Sequence, residues 1–178
     1  MRLIRGRFKT RYFQYPKNFP SRPTTDFAKE GLFNVLENEY SLYDLEILDL
    51  CAGTGSISFE FLSRECGTVT AVDNSFVCYK HLNKISSELD CKNEIDVIKS
   101  DILKFLSSTS KKYDIIFADP PYAYKEHHKI HELVFEKKLL NEGGVLVIEH
   151  GKETDLSELN HFQKMKKYGS VCFSFFKT

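Results

Sequence analysis

No stretch of this 178-residue sequence approaches the roughly 18 apolar residues that a membrane-spanning helix needs. The basic N-terminus also lacks the apolar core of a secretory signal. These absences lead to the expectation of a cytoplasmic protein. No C-x-x-C pair occurs, and the five cysteines (Cys51, Cys66, Cys78, Cys91, Cys172) are odd in number and scattered. Neither a zinc site nor a disulfide framework is indicated, and the thiols read as buried side chains in a reducing compartment. His127, His128 and His131 cluster, and His127 and His131 share a helix face. They lack an acidic or cysteine partner in ligand spacing, so no metal is expected. There is no internal repeat and no low-complexity segment.

Acidic residues are missing from residues 1–25, where seven basic ones lie: Arg2, Arg5, Arg7, Lys9, Arg11, Lys17 and Arg22. Net charge is zero over the chain, so the remaining 18 basic residues face all 25 acidic ones, a net of −7. The pattern suggests a basic arm, residues 1–24, on a mildly acidic body, residues 25–178. Such arms commonly meet phosphate backbones. In RGRFKTRYF, Arg5, Arg7, Lys9 and Arg11 alternate with Gly6, Phe8, Thr10 and Tyr12. Period two predicts an extended strand with the cations on one face. A solvated edge strand would also carry such charges. The charge density and interleaved aromatics favour nucleic-acid contact.

The body, with 42% hydrophobic and 28% charged residues in the whole chain, has the make-up of one globular domain with a sizeable core. Thr25 or Asp26 is the expected cap of a first helix carrying Phe27, Ala28, Leu32, Phe33, Val35 and Leu36 at helical spacing. Strands are then predicted at 46–50, 68–72, 95–99, 114–118 and 144–149. Helices are predicted at 56–65, 75–88, 101–107 and 127–140. A closing hairpin is expected from 161–168 and 171–176 around Gly169-Ser170. This alternation predicts an α/β fold: a Rossmann-like sandwich with a seven-stranded, mostly parallel sheet, a C-terminal antiparallel hairpin and an N-terminal basic β arm.

The first strand runs into Asp49-Leu50-Cys51-Ala52-Gly53-Thr54-Gly55-Ser56. Gly53 and Gly55 let a turn tighten and a ligand approach the backbone. As a dinucleotide fingerprint the loop is incomplete, because Ser58 stands where a third small residue is wanted and position 51 is not glycine. The second strand ends at Asp73, about twenty residues on, where a carboxylate suits a ribose. The third is followed by Asp101, which also suits a helix cap. With Asp119 after the fourth, four acids lie at or near strand ends on one edge, where ligands of open α/β sheets bind.

The fourth strand distinguishes a dehydrogenase from an amino-methyltransferase. It breaks at Asp119-Pro120-Pro121-Tyr122. An exocyclic amine on a base is a poor nucleophile, since its lone pair is delocalised into the ring. A carboxylate and a rigidly aimed carbonyl accept both amine hydrogens, and two prolines fix the carbonyl's direction. A neighbouring aromatic ring can stack on a flipped base. An acidic pocket attracts a cationic methyl donor.

Asp119-Pro120-Pro121-Tyr122 resembles motif IV of class I S-adenosylmethionine-dependent amino-methyltransferases, and Asp49 to Gly55 is similar to their motif I. Arg2 to Gly6, Arg22-Pro23-Thr24-Thr25-Asp26 and Lys29 to Leu36 narrow the resemblance to the RsmD family, over essentially the whole chain. The resemblance implies N2 methylation of a guanine of 16S ribosomal RNA, the guanine 966 type of site, with naked RNA and a small-subunit assembly intermediate both open as the partner; a monomer is the default expectation. By the same resemblance Asp49, Gly53 and Gly55 would line the methionine end of S-adenosylmethionine. Asp73 would hold its ribose, and Asp101 with Ile102 its adenine. Asp119 and the Pro120 carbonyl would hold the guanine amine, with Tyr122 stacked on the base. Arg22 and Thr24 would shape the rim beside the arm, joining Arg5, Arg7, Lys9 and Arg11 as RNA contacts. Lys29 stands where the family usually has Arg, and Tyr122 where many members have Phe. Glu149 matches a family acid to which no role is assigned. Other readings are a methyltransferase for a DNA or protein amine, a non-catalytic assembly factor, and an NAD-dependent oxidoreductase. The last is disfavoured by Ser58.

Overall fold

The computed structural model describes residues 1–20, 24–121 and 123–177. Its first helix, α1 (Asp26–Glu39), is capped by Thr25, whose side chain accepts from the Ala28 amide. Strands β1 (Glu46–Leu50), β2 (Thr68–Asp73), β3 (Ile95–Lys99), β4 (Tyr113–Ala118) and β5 (Leu140–Gly151) alternate with helices α2 (Ser58–Ser63), α3 (Phe76–Glu88), α4 (Ile102–Ser108) and α5 (His127–Glu136). β6 (Phe162–Tyr168) and β7 (Val171–Lys177) form the closing hairpin.

The sheet order is β3-β2-β1-β4-β5-β7-β6. β1 to β5 pair in parallel, and β7 is antiparallel to both its neighbours. The chain winds outward from β1 to β3, then returns to the other side of β1 to lay down β4. That reversal opens a crevice at the carboxyl ends of β1 and β4, as doubly wound sheets require. β1, β2, β4 and β5 are buried along most of their length without alternation, because both faces are covered. One core joins the sheet to α1, α2 and α3 through Leu32, Phe33, Phe59, Phe61, Leu82, Phe117 and Phe173. The other joins it to α4 and α5 through Leu106, Ile116, Ile130, Val134 and Ile148.

Several elements depart from the sequence pattern. On α1, Phe27 is 67% exposed while Lys29 is fully buried. The ammonium of Lys29 donates to the Arg2 carbonyl at 2.5 Å and to Ser56 Oγ at 3.1 Å, and it lies 3.6 Å from Glu60. Burial pulls its pKa down, and Glu60 opposes that shift. Helix α2 is only six residues long, because the backbone is still turning at Ser56 and Ile57. α5 stops at Glu136 rather than 140. Lys138 adopts φ 54°, the Leu139 amide closes back on the Val134 carbonyl, and β5 starts at once. A register irregularity opposite Tyr113 and Ile115 lets β5 include the Gly143-Gly144 pair.

The basic segment is not an extended strand with one cationic face. An antiparallel bridge joins Arg2 to Tyr12, and the chain between turns back tightly. The cause is tertiary. Gly6 sits at φ +85°, where a Cβ would fall 1.7 Å from the Ser63 carbonyl oxygen. The Ile4 and Arg5 amides donate to Glu60, the Phe8 amide to Ser63 Oγ, and the Arg7 amide to the Ser63 carbonyl. Met1, Leu3 and Phe13 are buried in the α1–α2–α3 core.

Candidate active site

The carboxyl edge of the parallel strands carries a cavity of about 420 Å³, within the range of small-molecule sites. Asp73, Asp101, Ile102, Asp119 and Pro120 all line it. Of the glycine loop Cys51 reaches the lining, while Gly53 and Gly55 stand beside it. There the Gly53 amide donates to Asp73 Oδ2 at 2.8 Å, while Asp73 Oδ1 accepts from the Ser75 amide at 2.8 Å. Asp73 therefore fixes the loop against the end of β2 and keeps lone pairs free for a ligand. Asp101 caps α4, accepting from the Lys104 amide at 3.1 Å, and lines the cavity as well. A cap and a site are compatible at that position.

Asp49 lies beneath the loop, 1% exposed, and Ser58 Oγ donates to its Oδ2 at 2.5 Å. Burial pushes its pKa up to about 7, with Ser58 opposing and the charges of Asp119 and Asp73 adding. Ser58, a poor fingerprint residue, is thus small enough to be enclosed and polar enough to hold Asp49. Cys51 stands in the left-handed region at φ 66° and also lines the cavity. This is the position that lacks the glycine of many nucleotide loops, and the conformation glycine would favour is kept.

After β4, the Asp119 amide still bonds to the Leu50 carbonyl at 3.2 Å, so the strand pairing extends to the corner itself. The Asp119 carboxyl accepts no hydrogen bond among the described residues, and burial raises its pKa to about 7. The Pro121 carbonyl accepts from the Tyr124 amide at 2.7 Å, whereas the Pro120 carbonyl has no donor among the described residues. One free carboxylate and one free, rigid carbonyl thus stand side by side at the cavity. Tyr122 and Arg22 lie outside the described residues.

Other cavity residues were not read from the sequence. Asn74, Ser75 and Ser100 adjoin the strand-end acids, so the topology could have found them. Pro20 and Cys78 carry no such signal, since each reaches the cavity only through tertiary packing. Tyr124 lines the cavity with a buried hydroxyl lacking a partner among the described residues, and the buried Thr54 hydroxyl in the adjoining glycine loop lacks one too. Unpartnered buried hydroxyls beside a ring of carboxylates fit a polar ligand that carries positive charge.

The RNA contacts expected on the arm are at the other edge. Arg5 pairs with Glu37 in the last turns of α1. Arg7 pairs with Glu94, just before β3, and donates to the Leu62 carbonyl. Arg11 reaches the Glu88 carbonyl at the end of α3, and Lys9 is exposed on the turn. Among the described ones Thr24 alone joins the carboxyl edge, donating to Glu149 at 3.4 Å.

Residues 1–177 match the family described as conserved hypothetical protein 95, the RsmD family. The chain belongs to this family. Among RsmD relatives, ribosomal RNA small subunit methyltransferase D of Buchnera aphidicola subsp. Acyrthosiphon pisum is 32% identical over 167 residues, covering 93% of this chain and 85% of that protein. The Haemophilus influenzae protein of the same name is 29% identical over 170 residues, covering 94% and 87%. The solved structure of Escherichia coli yhhF superposes with a TM-score of 0.85 at 25% identity, covering 99% of this chain and 96% of that one. The RsmD fold is the Rossmann-like sandwich of class I methyltransferases.

Proposed function

We propose that this protein methylates the exocyclic N2 amine of a guanine in 16S ribosomal RNA, of the guanine 966 type, using S-adenosylmethionine. The observation that carries the reading is the pair of unsatisfied acceptors, the Asp119 carboxyl and the Pro120 carbonyl, at the rim of an acid-lined cavity. An amine bearing two hydrogens satisfies both. The bound cofactor supplies a methyl group on a positively charged sulfur. Asp73 would hold its ribose, Asp101 and Ile102 its adenine, and the Asp49–Gly55 loop its methionine end.

Asp119 and Pro120 orient the amine lone pair toward the methyl carbon. Held so, the amine would take the methyl group that the cofactor supplies, its bond to sulfur breaking to leave a neutral thioether. The methylated nitrogen then sheds a proton, for which Asp119 is the nearest acceptor. Tyr122, three positions after Asp119, would stack on the base. RsmD relatives named for ribosomal RNA support the RNA substrate, taken as free 16S RNA or an assembly intermediate and modified by a monomer.

The test is Asp119→Ala, with methyl transfer to 16S RNA and calorimetric binding of S-adenosylhomocysteine measured together. Transfer should fall about 10²- to 10⁴-fold while cofactor binding persists. Near-normal turnover would overturn the mechanism. Mapping the ribosomal nucleotide that loses its methyl group on deletion identifies the target.

A further inference from the structure

Two glutamates are equally enclosed in this protein, and only one is satisfied. Glu60 is fully buried and receives four hydrogen bonds, from the Ile4 and Arg5 amides and twice from the Arg64 guanidinium. Glu149 is 5% exposed and receives one, a 3.4 Å contact from Thr24 Oγ1 to its Oε2. No lysine or arginine pairs with it among the described residues. A buried carboxyl without partners is costly unless a ligand completes it.

Its place identifies the ligand. Ala118 pairs with Ile148, so Asp119 and Glu149 are the next positions on adjacent strands. Phe117 and Val147 both enter the α1–α2–α3 core, and two residues further on the side chains return to that side. Adjacent strands lie about 4.8 Å apart, which sets the two carboxyls side by side. Burial first, then the neighbouring Asp119, pushes the Glu149 pKa up to about 9. Yet Glu149 does not line the cavity assigned to the cofactor. β5 lies across β4 from β1, β2 and β3, which puts Glu149 on the substrate side of Asp119.

A base whose amine is held by Asp119 and Pro120 presents its ring edge to this second carboxyl. In guanine the atom beside the C2 amine is N1, which carries a hydrogen. In adenine the atom beside the C6 amine is a bare N1 lone pair. An ionised Glu149 carboxylate accepts from the first and repels the second, and the N1–H of a bound guanine favours that ionised form. We propose that Glu149 is the specificity-determining residue of the site, its Oε1 accepting the guanine N1–H while Thr24 holds Oε2. This assignment rests on the guanine-N2 reading and supplies what the Asp-Pro-Pro corner lacks, since that corner binds an amine on any base.

The experiment uses two synthetic RNAs, one with the target guanine and one with 2-aminopurine in its place. 2-Aminopurine keeps the C2 amine but has a bare N1. The wild-type enzyme should prefer guanine about ten-fold or more in kcat/KM. Glu149→Gln, whose amide can donate to a bare N1, should narrow or reverse that ratio, with S-adenosylhomocysteine binding as the check of folding. Equal wild-type rates on the two RNAs, a preference for 2-aminopurine, or an unchanged ratio in a folded Glu149→Gln enzyme would overturn the assignment alone. Methylation of neither RNA would overturn the guanine reading and this assignment with it. The wild-type ratio decides even where the variant does not fold.

Discussion

The region beneath the arm and the carboxyl edge of the sheet bury charge in opposite ways. Beneath the arm, Glu60 sits between Lys29 and Arg64, Glu37 pairs with Arg64 as well, and Glu60 and Lys29 also hold the arm's backbone. At the carboxyl edge, Asp49, Asp119 and Glu149 share one sign, and their pKa values are all raised by burial and, for Asp49 and Glu149, by neighbouring acids. The first arrangement stabilises the fold. The second destabilises it and is relieved by a cationic donor and an amine, as expected of a binding site.

The largest effect should come from breaking the satisfied cluster. Glu60→Ala strands a buried lysine, a buried guanidinium and two amides, and should cost about 3–5 kcal/mol in urea unfolding. Glu149→Gln should be neutral or stabilising by the same measurement, because the buried carboxyl must either hold its proton or ionise with no lysine or arginine paired to it among the described residues. A comparable loss in both variants would erase the contrast. Gly6→Ala comes next, at about 2 kcal/mol or more, from a left-handed φ combined with a collision against the Ser63 carbonyl.

The pH dependence sharpens the same contrast. The folded pKa values of Asp49 and Asp119, about 7, and of Glu149, about 9, exceed ordinary carboxylate values. The folded state therefore binds more protons than the unfolded one between about pH 4 and these values. Its stability contribution is complete below the ordinary carboxylate pKa and is lost as pH rises through 7 and then 9. Tm should fall over that window, and Glu149→Gln should flatten its upper part. A wild-type Tm that rises steadily from pH 6 to 9 would contradict the raised values.

What could be read from the sequence follows the same division. The strand-end acids were legible because a β-α repeat fixes which edge each strand end joins, so Asp73, Asp101 and Asp119 needed only the topology. Position 58 was legible as a residue but not as a partner for Asp49, which depends on how the loop folds back. Lys29 in the core and Phe27 in solvent reverse the helical pattern, because Glu60, thirty-one positions away, makes the buried ammonium tolerable. The arm's alternating charges suggested a strand. Its true shape is set by Gly6 against Ser63 and by Glu60, contacts to which period two is blind.

The smallest expected effect concerns the arm's cations, which we propose as contacts to the RNA backbone. Arg5 and Arg7 now pair with Glu37 and Glu94, and the side chain of Arg5 is 67% exposed. Pairs of this kind are worth roughly 0–1 kcal/mol, so Arg5→Ala and Arg7→Ala should barely change stability. The same weakness makes the guanidinium groups cheap to transfer from a carboxylate to a phosphate. Each replacement should lower the slope of RNA affinity against salt concentration by about one unit and weaken binding without changing the guanine to 2-aminopurine ratio. Arg5 and Arg7 lie at the edge opposite Asp119, so a slope change requires an RNA that wraps the α1–α2 side of the molecule. An unchanged slope would confine the RNA to the carboxyl edge and leave the arm's charges a structural role, fastening the turn to α1 and β3.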